Sequence, residues 1–166
     1  MDNKIIVFTD GACSNNGRKN ARAGIGIYFG PNDKRNISER IEGIQTNNRA
    51  ELLAILEVFN ILETEMKCQK NIIIYTDSKY SINCFTNWAK KWEKDNWTKK
   101  SKGDIVNLDL VKKGYRLFNE YQNVSMEHIR AHSNKSDEYS LGNNFADELA
   151  CKSIQPGKTN DIISYF

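Results

Sequence analysis

The chain has 166 residues, of which 39% are hydrophobic and 27% are charged, and its formal net charge is +3. These values are typical of one globular domain with a single core, and they exclude a collagen-like or wholly disordered chain. No apolar run approaches the roughly 20 residues that span a bilayer, so we expect no membrane segment.

The N-terminus leads straight into a strand-like run, without the pattern of a signal peptide. We therefore expect an intracellular protein, in the cytoplasm or nucleus, with an organellar or viral origin left open. The first third of the chain predicts three strands, over residues 4–9, 24–29 and 36–45. Short turns containing glycine separate them, which predicts an antiparallel meander.

The hydrophobic period then changes to that of a helix. Apolar residues at positions 52, 55, 56, 59 and 62 predict an amphipathic helix over residues 48–65, with Thr46 or Asn47 as its N-cap. Residues 71–76 predict a fully buried strand. A helix that links two buried strands predicts a parallel pair with a right-handed crossover.

The remaining predicted elements are helices over residues 78–92, 104–121 and 142–153 and a strand over residues 123–129. Asn143 or Asn144 is the expected N-cap of the last helix. The sequence thus predicts one α/β domain over residues 1–154, with a five-stranded mixed sheet flanked by helices. A flexible C-terminal tail is expected over residues 155–166.

Four carboxylates stand at the ends of predicted elements. Asp10 and Asp77 each follow a buried strand, and Glu51 and Asp147 are expected in the first turns of helices. Any one of them alone fits a turn or helix-dipole role equally well. Together they would converge on one edge of the sheet, where their mutual repulsion calls for a divalent cation. Oxygen ligands suit Mg²⁺ or Mn²⁺, and two such ions can assist phosphodiester hydrolysis.

These carboxylates lie in four short motifs: FTDGA at 8–12, TNNRAE at 46–51, YTDS at 75–78 and GNNFAD at 142–147. In this order and at these separations, the motifs resemble the active-site motifs of type 1 ribonucleases H. The resemblance extends over roughly residues 3–152. It implies a ribonuclease H-like fold.

The resemblance implies an endonuclease that hydrolyses the RNA strand of RNA–DNA hybrids and leaves 3′-hydroxyl and 5′-phosphate ends. Asp10, Glu51, Asp77 and Asp147 would bind two Mg²⁺ ions, for which Mn²⁺ is a substitute. His132 takes the place of the family's mobile histidine, which acts in proton transfer or product release. The connection from His132 to Asp147 is longer than usual in the family, and we expect a mobile loop there.

Residues 86–102 hold all three tryptophans and six lysines against two acidic residues, a net charge of +4. Trp88 and Trp92 share one helix face, where such a pair could simply pack into a core. The surrounding lysines favour a nucleic-acid surface instead. The segment is similar to the basic protrusion of cellular ribonucleases H, which implies that Lys90 and Lys91 contact the DNA strand.

The resemblance also assigns hybrid contacts to Cys13, Asn16, Thr46, Asn47, Asn48, Tyr80, Trp88 and Asn107. Thr46 and Asn107 would bind a DNA phosphate, although Ile44 replaces an arginine that joins this pocket in the family. Tyr80 and Trp88 would pack on deoxyribose, and the asparagines and the Cys13 backbone would lie near RNA 2′-hydroxyls. One strand must therefore carry 2′-hydroxyls and the other must lack them. An RNA–DNA hybrid satisfies both requirements, whereas neither pure duplex does.

The C-terminal residues Ile162, Tyr165 and Phe166 are similar to peptides that dock on replication sliding clamps, although Thr159 stands where glutamine is usual. The alternatives are a tail packed on its own domain or a disordered tail. We otherwise expect a monomer.

Two other functions are alternatives for this sequence. A nuclease-fold binding module without catalysis conflicts with the presence of all four carboxylates. A related transposase, integrase or exonuclease fits poorly with the tryptophan–lysine segment and with the asparagines before Glu51.

Overall fold

The computed structural model describes residues 3–99, 103–131 and 136–157, together with the backbone of residues 162–163. In chain order the elements are β1 (Lys4–Ser14), β2 (Arg22–Tyr28), β3 (Ile37–Ile41), α1 (Asn47–Ile61), α2 (Glu63–Lys67), β4 (Asn71–Thr76), α3 (Lys79–Phe85), α4 (Asn87–Lys94), α5 (Leu108–Glu120), β5 (Val124–His128), α6 (Glu138–Ser153) and β6 (Ile162–Ile163). None of the described helices is both long and apolar enough to cross a bilayer.

The strands form one mixed sheet in the order β5-β4-β1-β2-β3-β6. β1, β2 and β3 are the predicted antiparallel meander, and β1, β4 and β5 run parallel. The five-stranded mixed sheet predicted from the sequence is therefore confirmed. A short sixth strand from the C-terminal segment is added, in which Ile162 and Ile163 pair in parallel with Arg40 and Ile41 at the β3 edge.

Helices cover both faces of this sheet. A Cβ atom on Gly11 would meet α1, and one on Gly26 would meet α6. Gly11 pairs with Ile25, the neighbour of Gly26, so the two glycines face opposite sides because side chains alternate along a strand. The absence of Cβ atoms lets each helix approach the central strands closely.

The core is built around α1. Its predicted apolar positions are buried, but so are Leu53, Ala54 and Val58, which makes the helix apolar on nearly all sides. The reason is that α5 packs on the outer side of α1, where Phe59 meets Phe118 edge-on at 4.9 Å between ring centroids. A helix covered by both a sheet and a second helix layer buries more than one stripe.

Several predicted helix bounds were wrong. The helix expected over residues 48–65 ends at Ile61 and is followed by α2, and the one expected over residues 104–121 begins at Leu108. The helix expected over residues 78–92 is interrupted at Thr86, whose hydroxyl donates to the Ile82 carbonyl at 2.6 Å. The last helix begins at Glu138 rather than residue 142, because Asp137 is its N-cap and accepts from the Ser140 backbone N–H at 3.1 Å. Asn143 and Asn144 therefore lie inside the helix and do not cap it.

Candidate active site

Asp10 and Asp77 are brought together by the parallel pairing of β1 and β4. The pairing ends at Thr9 and Thr76, so the two aspartates follow at the same edge of the sheet. The expectation that Asp10 follows its strand was wrong, because β1 continues to Ser14 through antiparallel pairing with β2. Asp10 is thus held on an extended strand, and only 5% of its surface is exposed.

Glu51 reaches the two aspartates from α1. It lies in the second turn rather than the expected first turn, because the helix begins at Asn47 after the Thr46 cap. Gly11 packs against the backbone at Glu51, and Glu51 is only 6% exposed. One carboxylate oxygen each from Asp10, Glu51 and Asp77 lies within 4.8 Å of the others. Three of the four predicted carboxylates therefore form one compact group.

Asp147, the fourth predicted carboxylate, lies near this group but is not one of the three whose oxygens are within 4.8 Å of one another. It lies in the third turn of α6, not in a first turn as expected, because the helix begins earlier. Its charge contributes to raising the pKa of Asp10, so it faces the same site. The Cys151 thiol, one turn further on, donates to Asp147 Oδ1 at 3.7 Å. Burial, followed by the charge of Asp147, raises the pKa of that thiol, which favours its protonated form.

The clustered carboxylates resist joint ionisation. Burial is the main cause that raises the pKa of Asp10, and the charge of Asp77 adds to it. Burial also raises the pKa of Glu51 well above its usual value, with the charge of Asp10 as the next cause. A divalent cation would reverse this effect, since it stabilises the ionised carboxylates.

Two buried oxygen atoms without hydrogen-bond partners among the described residues indicate that a hydrated cation fits at this site. Glu51 Oε2 and Asn143 Oδ1 have no hydrogen-bond partner within the described part of the chain. A carboxylate oxygen can coordinate a hard cation directly, and an amide oxygen can accept a proton from the water that such a cation retains. The donor set consists of oxygens and matches Mg²⁺ or Mn²⁺ better than a soft metal.

The predicted histidine, His132, lies outside the described residues. The segment between it and Asp147 is nevertheless different from the long loop that we expected. Residues 138–146 belong to α6, so this part of the connection is helical. Asp137 and Ser140 provide the cap at which this helix begins.

Several residues expected near RNA meet beside the carboxylates. The Asn47 backbone N–H donates to Asn16 Oδ1 at 3.2 Å, and the Cys13 thiol donates to the Gln45 carbonyl at 3.8 Å. Asn48 is exposed in the first turn of α1. The turn after β1 and the start of α1 thus form one polar surface next to Glu51.

The residues expected near DNA continue this surface on the other side of α1. Asn107 Nδ2 donates to the Tyr80 hydroxyl at 3.2 Å, and Tyr80 meets Trp88 edge-on at 5.9 Å between centroids. Burial raises the pKa of Tyr80 to about 12, so the hydroxyl stays protonated at neutral pH. Trp92 follows Trp88 at 5.9 Å but packs partly against the core.

The phosphate pocket expected at Thr46 and Asn107 contains a guanidinium group from another position. Ile44, which replaces the family's arginine, is 63% exposed. Arg49 Nη1 instead lies 3.3 Å from Asn107 Oδ1, and Arg49 forms a two-pronged ion pair with Asp109. The role of Arg49 was not predicted, although its place in the TNNRAE motif, three residues after Thr46, is a signal that it shares this side of α1.

The basic segment of residues 86–102 contains both exposed lysines and side chains that pack within the domain. Lys90 and Lys91 are exposed on α4, as a phosphate contact requires. Trp97 instead packs within the domain, edge-on against Tyr115 and with the Lys112 ammonium 5.3 Å from its ring centroid.

Comparison with known proteins identifies relatives of this chain. The sequence matches the RNase H family over residues 2–155. It is 38% identical over 156 residues to Ribonuclease H1 of Mus musculus, covering 90% of this chain and 50% of that protein. It is 34% identical over 156 residues to Ribonuclease H of Caldicellulosiruptor saccharolyticus, and this match covers 92% of this chain and 97% of that protein. The chain thus spans about half the length of the mammalian relative but nearly all of the bacterial one.

Solved structures agree with the fold. LC9-RNase H1, a type 1 RNase H with the type 2 active-site motif, is 25% identical with a TM-score of 0.66, covering 91% of this chain and 72% of that one. The RNase H domain of PFV is 19% identical with a TM-score of 0.67, covering 90% and 93%. The sequence match, the sheet order and the grouped carboxylates all lead to one assignment: the chain belongs to the RNase H family.

Proposed function

We propose that this protein is an endonuclease that hydrolyses the RNA strand of RNA–DNA hybrids, leaving 3′-hydroxyl and 5′-phosphate ends. The observation that carries the proposal is the compact group of Asp10, Glu51 and Asp77 in a chain of the RNase H family. The bacterial relative named Ribonuclease H, which the chain matches over almost its whole length, supports the same activity.

Within this proposal, Asp10, Glu51, Asp77 and Asp147 hold two divalent cations, Mg²⁺ or Mn²⁺. When bound, the two ions would lower the pKa of the attacking water and stabilise the leaving oxygen. The protein's own contribution is geometric. β1, β4 and α1 fix three carboxylates before substrate arrives, and α6 supplies the fourth from the opposite face of the sheet.

His132 is assigned a role in proton transfer or product release. Imidazole is the side chain most suited to both giving and taking a proton near neutral pH. A His132→Ala variant should lose turnover more than substrate affinity, and unchanged turnover would remove this role.

Hybrid specificity is assigned to the two surfaces that flank α1. Asn16, Asn47 and Asn48 offer polar groups for RNA 2′-hydroxyls next to the carboxylates. Tyr80 and Trp88 offer ring surfaces for deoxyribose, where a 2′-hydroxyl would be crowded. Lys90 and Lys91 add phosphate contacts that should weaken with salt.

The decisive experiment compares three duplexes of one sequence, RNA–DNA, RNA–RNA and DNA–DNA, each labelled on either strand and incubated with Mg²⁺. We expect cleavage of the RNA strand of the hybrid only. Equal cleavage of all three duplexes would indicate another nuclease of the same fold. Tight hybrid binding without cleavage in Mg²⁺ or Mn²⁺ would indicate a binding module.

The chain is proposed to act as a monomer inside the cell. Its tail, residues 155–166, is proposed to dock on a replication sliding clamp through Ile162, Tyr165 and Phe166. Tyr165 and Phe166 lie outside the described residues. Docking would require Ile162 to leave its pairing with Arg40 at the β3 edge. Binding of a synthetic peptide of residues 155–166 to the cognate clamp tests this assignment, and no detectable binding would end it.

A further inference from the structure

Asn143 is a buried amide in the interior of α6. Only 2% of its surface is exposed, and it lies in the second turn because Asp137 caps the helix. Asparagine is a poor residue for a helix interior, and burying its amide without partners costs free energy. A cap role could have explained an asparagine at this motif, but the structure assigns capping to Asp137. The buried amide therefore has another role.

The contact that Asn143 makes is with a metal-site carboxylate on a distant part of the chain. Its Nδ2 donates to Asp77 Oδ2 at 3.2 Å. An ionised carboxylate only accepts hydrogen bonds, so the NH₂ group of the amide must be the side that faces it. The same orientation leaves Asn143 Oδ1 buried, with no protein partner among the residues described.

This bond suits a carboxylate that must stay available to a cation. Asp77 follows the last residue of β4, and its carboxylate lies within 4.8 Å of those of Asp10 and Glu51, so ionised carboxylates here repel one another until a cation binds. A lysine or arginine at position 143 would hold Asp77 but neutralise it. A neutral amide holds one carboxylate oxygen and leaves both the negative charge and the other oxygen for the metal.

We propose that Asn143 is a positioning residue, which fixes the Asp77 carboxylate in the orientation that binds the divalent cation. The inference rests on the proposed metal site, and it extends that site by a residue that acts through Asp77. Loss of such a supporting partner typically lowers metal affinity by about 10–100-fold.

The test measures metal binding in the absence of nucleic acid. Mn²⁺ affinity of the full chain is determined by calorimetry for wild type, Asn143→Ala and Asn143→Leu. Leucine fills nearly the same volume without a donor, so a folding defect of the alanine variant does not decide the result. The neighbouring Asn144→Ala is the matched control. We expect about 10–100-fold weaker Mn²⁺ binding in both Asn143 variants and an unchanged affinity in the control.

A mutant cycle then tests whether Asn143 acts through Asp77. In an Asp77→Asn background, the Asn143→Ala change should have little further effect on Mn²⁺ affinity, because its partner is already altered. In activity assays, the Mg²⁺ concentration for half-maximal rate should rise while the rate at saturating Mg²⁺ largely recovers. A purely structural role would lower the rate at every metal concentration.

The outcomes separate this inference from the proposed function. Wild-type Mn²⁺ affinity in both folded Asn143 variants would overturn the inference alone. An equal effect of Asn143→Ala with and without Asp77 would also overturn it. A wild-type protein that binds no Mn²⁺ would overturn the metal site and the inference together.

Discussion

Gly11 and Glu51 are packed so closely that a Cβ atom on residue 11 would lie 2.5 Å from the Glu51 backbone nitrogen. The contact is with main chain, which cannot rotate away as a flexible side chain can. Gly11 therefore sets the distance between β1 and α1. Asp10 is the neighbour of Gly11 on β1, and Glu51 is the residue that Gly11 contacts on α1. The same packing therefore also sets the distance between two carboxylates of the site.

Gly11→Ala should consequently disturb both stability and metal binding. We expect a loss of about 2 kcal/mol from overpacking, or roughly 4–8 °C in Tm, together with weaker Mn²⁺ binding. Thermal unfolding and calorimetry measure the two effects. A variant with wild-type Tm and wild-type Mn²⁺ affinity would show that α1 can move without cost.

The stability of the metal-free protein should fall as pH rises. Asp10 and Glu51 have folded-state pKa values above their ordinary values of 3.8 and 4.5. The folded state therefore holds more protons than the unfolded chain from about pH 4 until the raised pKa values are passed, and stability is lost through that range. In EDTA, Asp10→Asn should raise Tm at pH 8 more than at pH 5.

Mg²⁺ should show the complementary dependence. It binds the ionised carboxylates, so the increase in Tm that it causes should be larger at pH 8 than at pH 6. A metal effect that is independent of pH, or an Asp10→Asn variant that is less stable than wild type at pH 8, would contradict the raised pKa values.

Trp88 should contribute to hybrid binding more than to folding, because it is 38% exposed and its described contacts are with the aromatic rings of Tyr80 and Trp92. Trp88→Ala should weaken hybrid affinity by roughly 10-fold, which is the order of magnitude for loss of one aromatic contact with nucleic acid. Lys90→Ala is a useful comparison, since it should reduce the salt dependence of binding whereas Trp88→Ala should not. Equal hybrid affinity for wild type and Trp88→Ala would remove the tryptophan from the interface.

Substitutions can separate the structural contact of Thr46 from its expected binding role. Its hydroxyl caps α1 by accepting from the Arg49 N–H at 3.2 Å, and the resemblance to ribonucleases H implies that it also binds a DNA phosphate. Thr46→Ala should cost about 1 kcal/mol of stability. Thr46→Asp should retain the cap yet weaken hybrid binding, because the new charge repels phosphate. Wild-type hybrid affinity in Thr46→Asp would argue against a phosphate at this position.

The mixed sheet and the meeting of Asp10 with Asp77 were predictable because strands and helices are indicated by local patterns, whereas the bounds of β1 and α1 around Asp10 and Glu51 were not. Buried strands and a helix of the right length dictate a parallel pair, and residues that follow such strands meet at one edge. The aspartates therefore required only that β1 and β4 be recognised.

The start of α6 was less predictable, because the segment offers several residues that can begin a helix. Asp137, Asn143 and Asn144 are all good N-caps by type. In the structure Asp137 is the cap, and the backbone and hydroxyl of Ser140 both donate to it. The wrong choice placed Asp147 in a first turn and concealed the contact of Asn143 with Asp77, since a residue assigned as a cap needs no further partner.

The side of α1 on which Arg49 lies follows from its spacing to Thr46, but its partners depend on tertiary contacts that no local pattern encodes. Its ion pair with Asp109 and its approach to Asn107 join two helices that are about 60 residues apart in the chain. The loss of arginine at position 44 was visible in the sequence, but the presence of another guanidinium group beside the same pocket was not.

The most direct test of the central claim is single-turnover cleavage of an RNA–DNA hybrid in Mg²⁺ by wild type and Asp77→Asn, with hybrid affinity measured on the same preparations. The account predicts that wild type cuts only the RNA strand. It also predicts that Asp77→Asn binds the hybrid with similar affinity but cuts at least about 10³-fold more slowly, because a neutral amide is a poor ligand for the cation. Cleavage by Asp77→Asn at the wild-type rate, or cutting of the DNA strand by wild type, would contradict it.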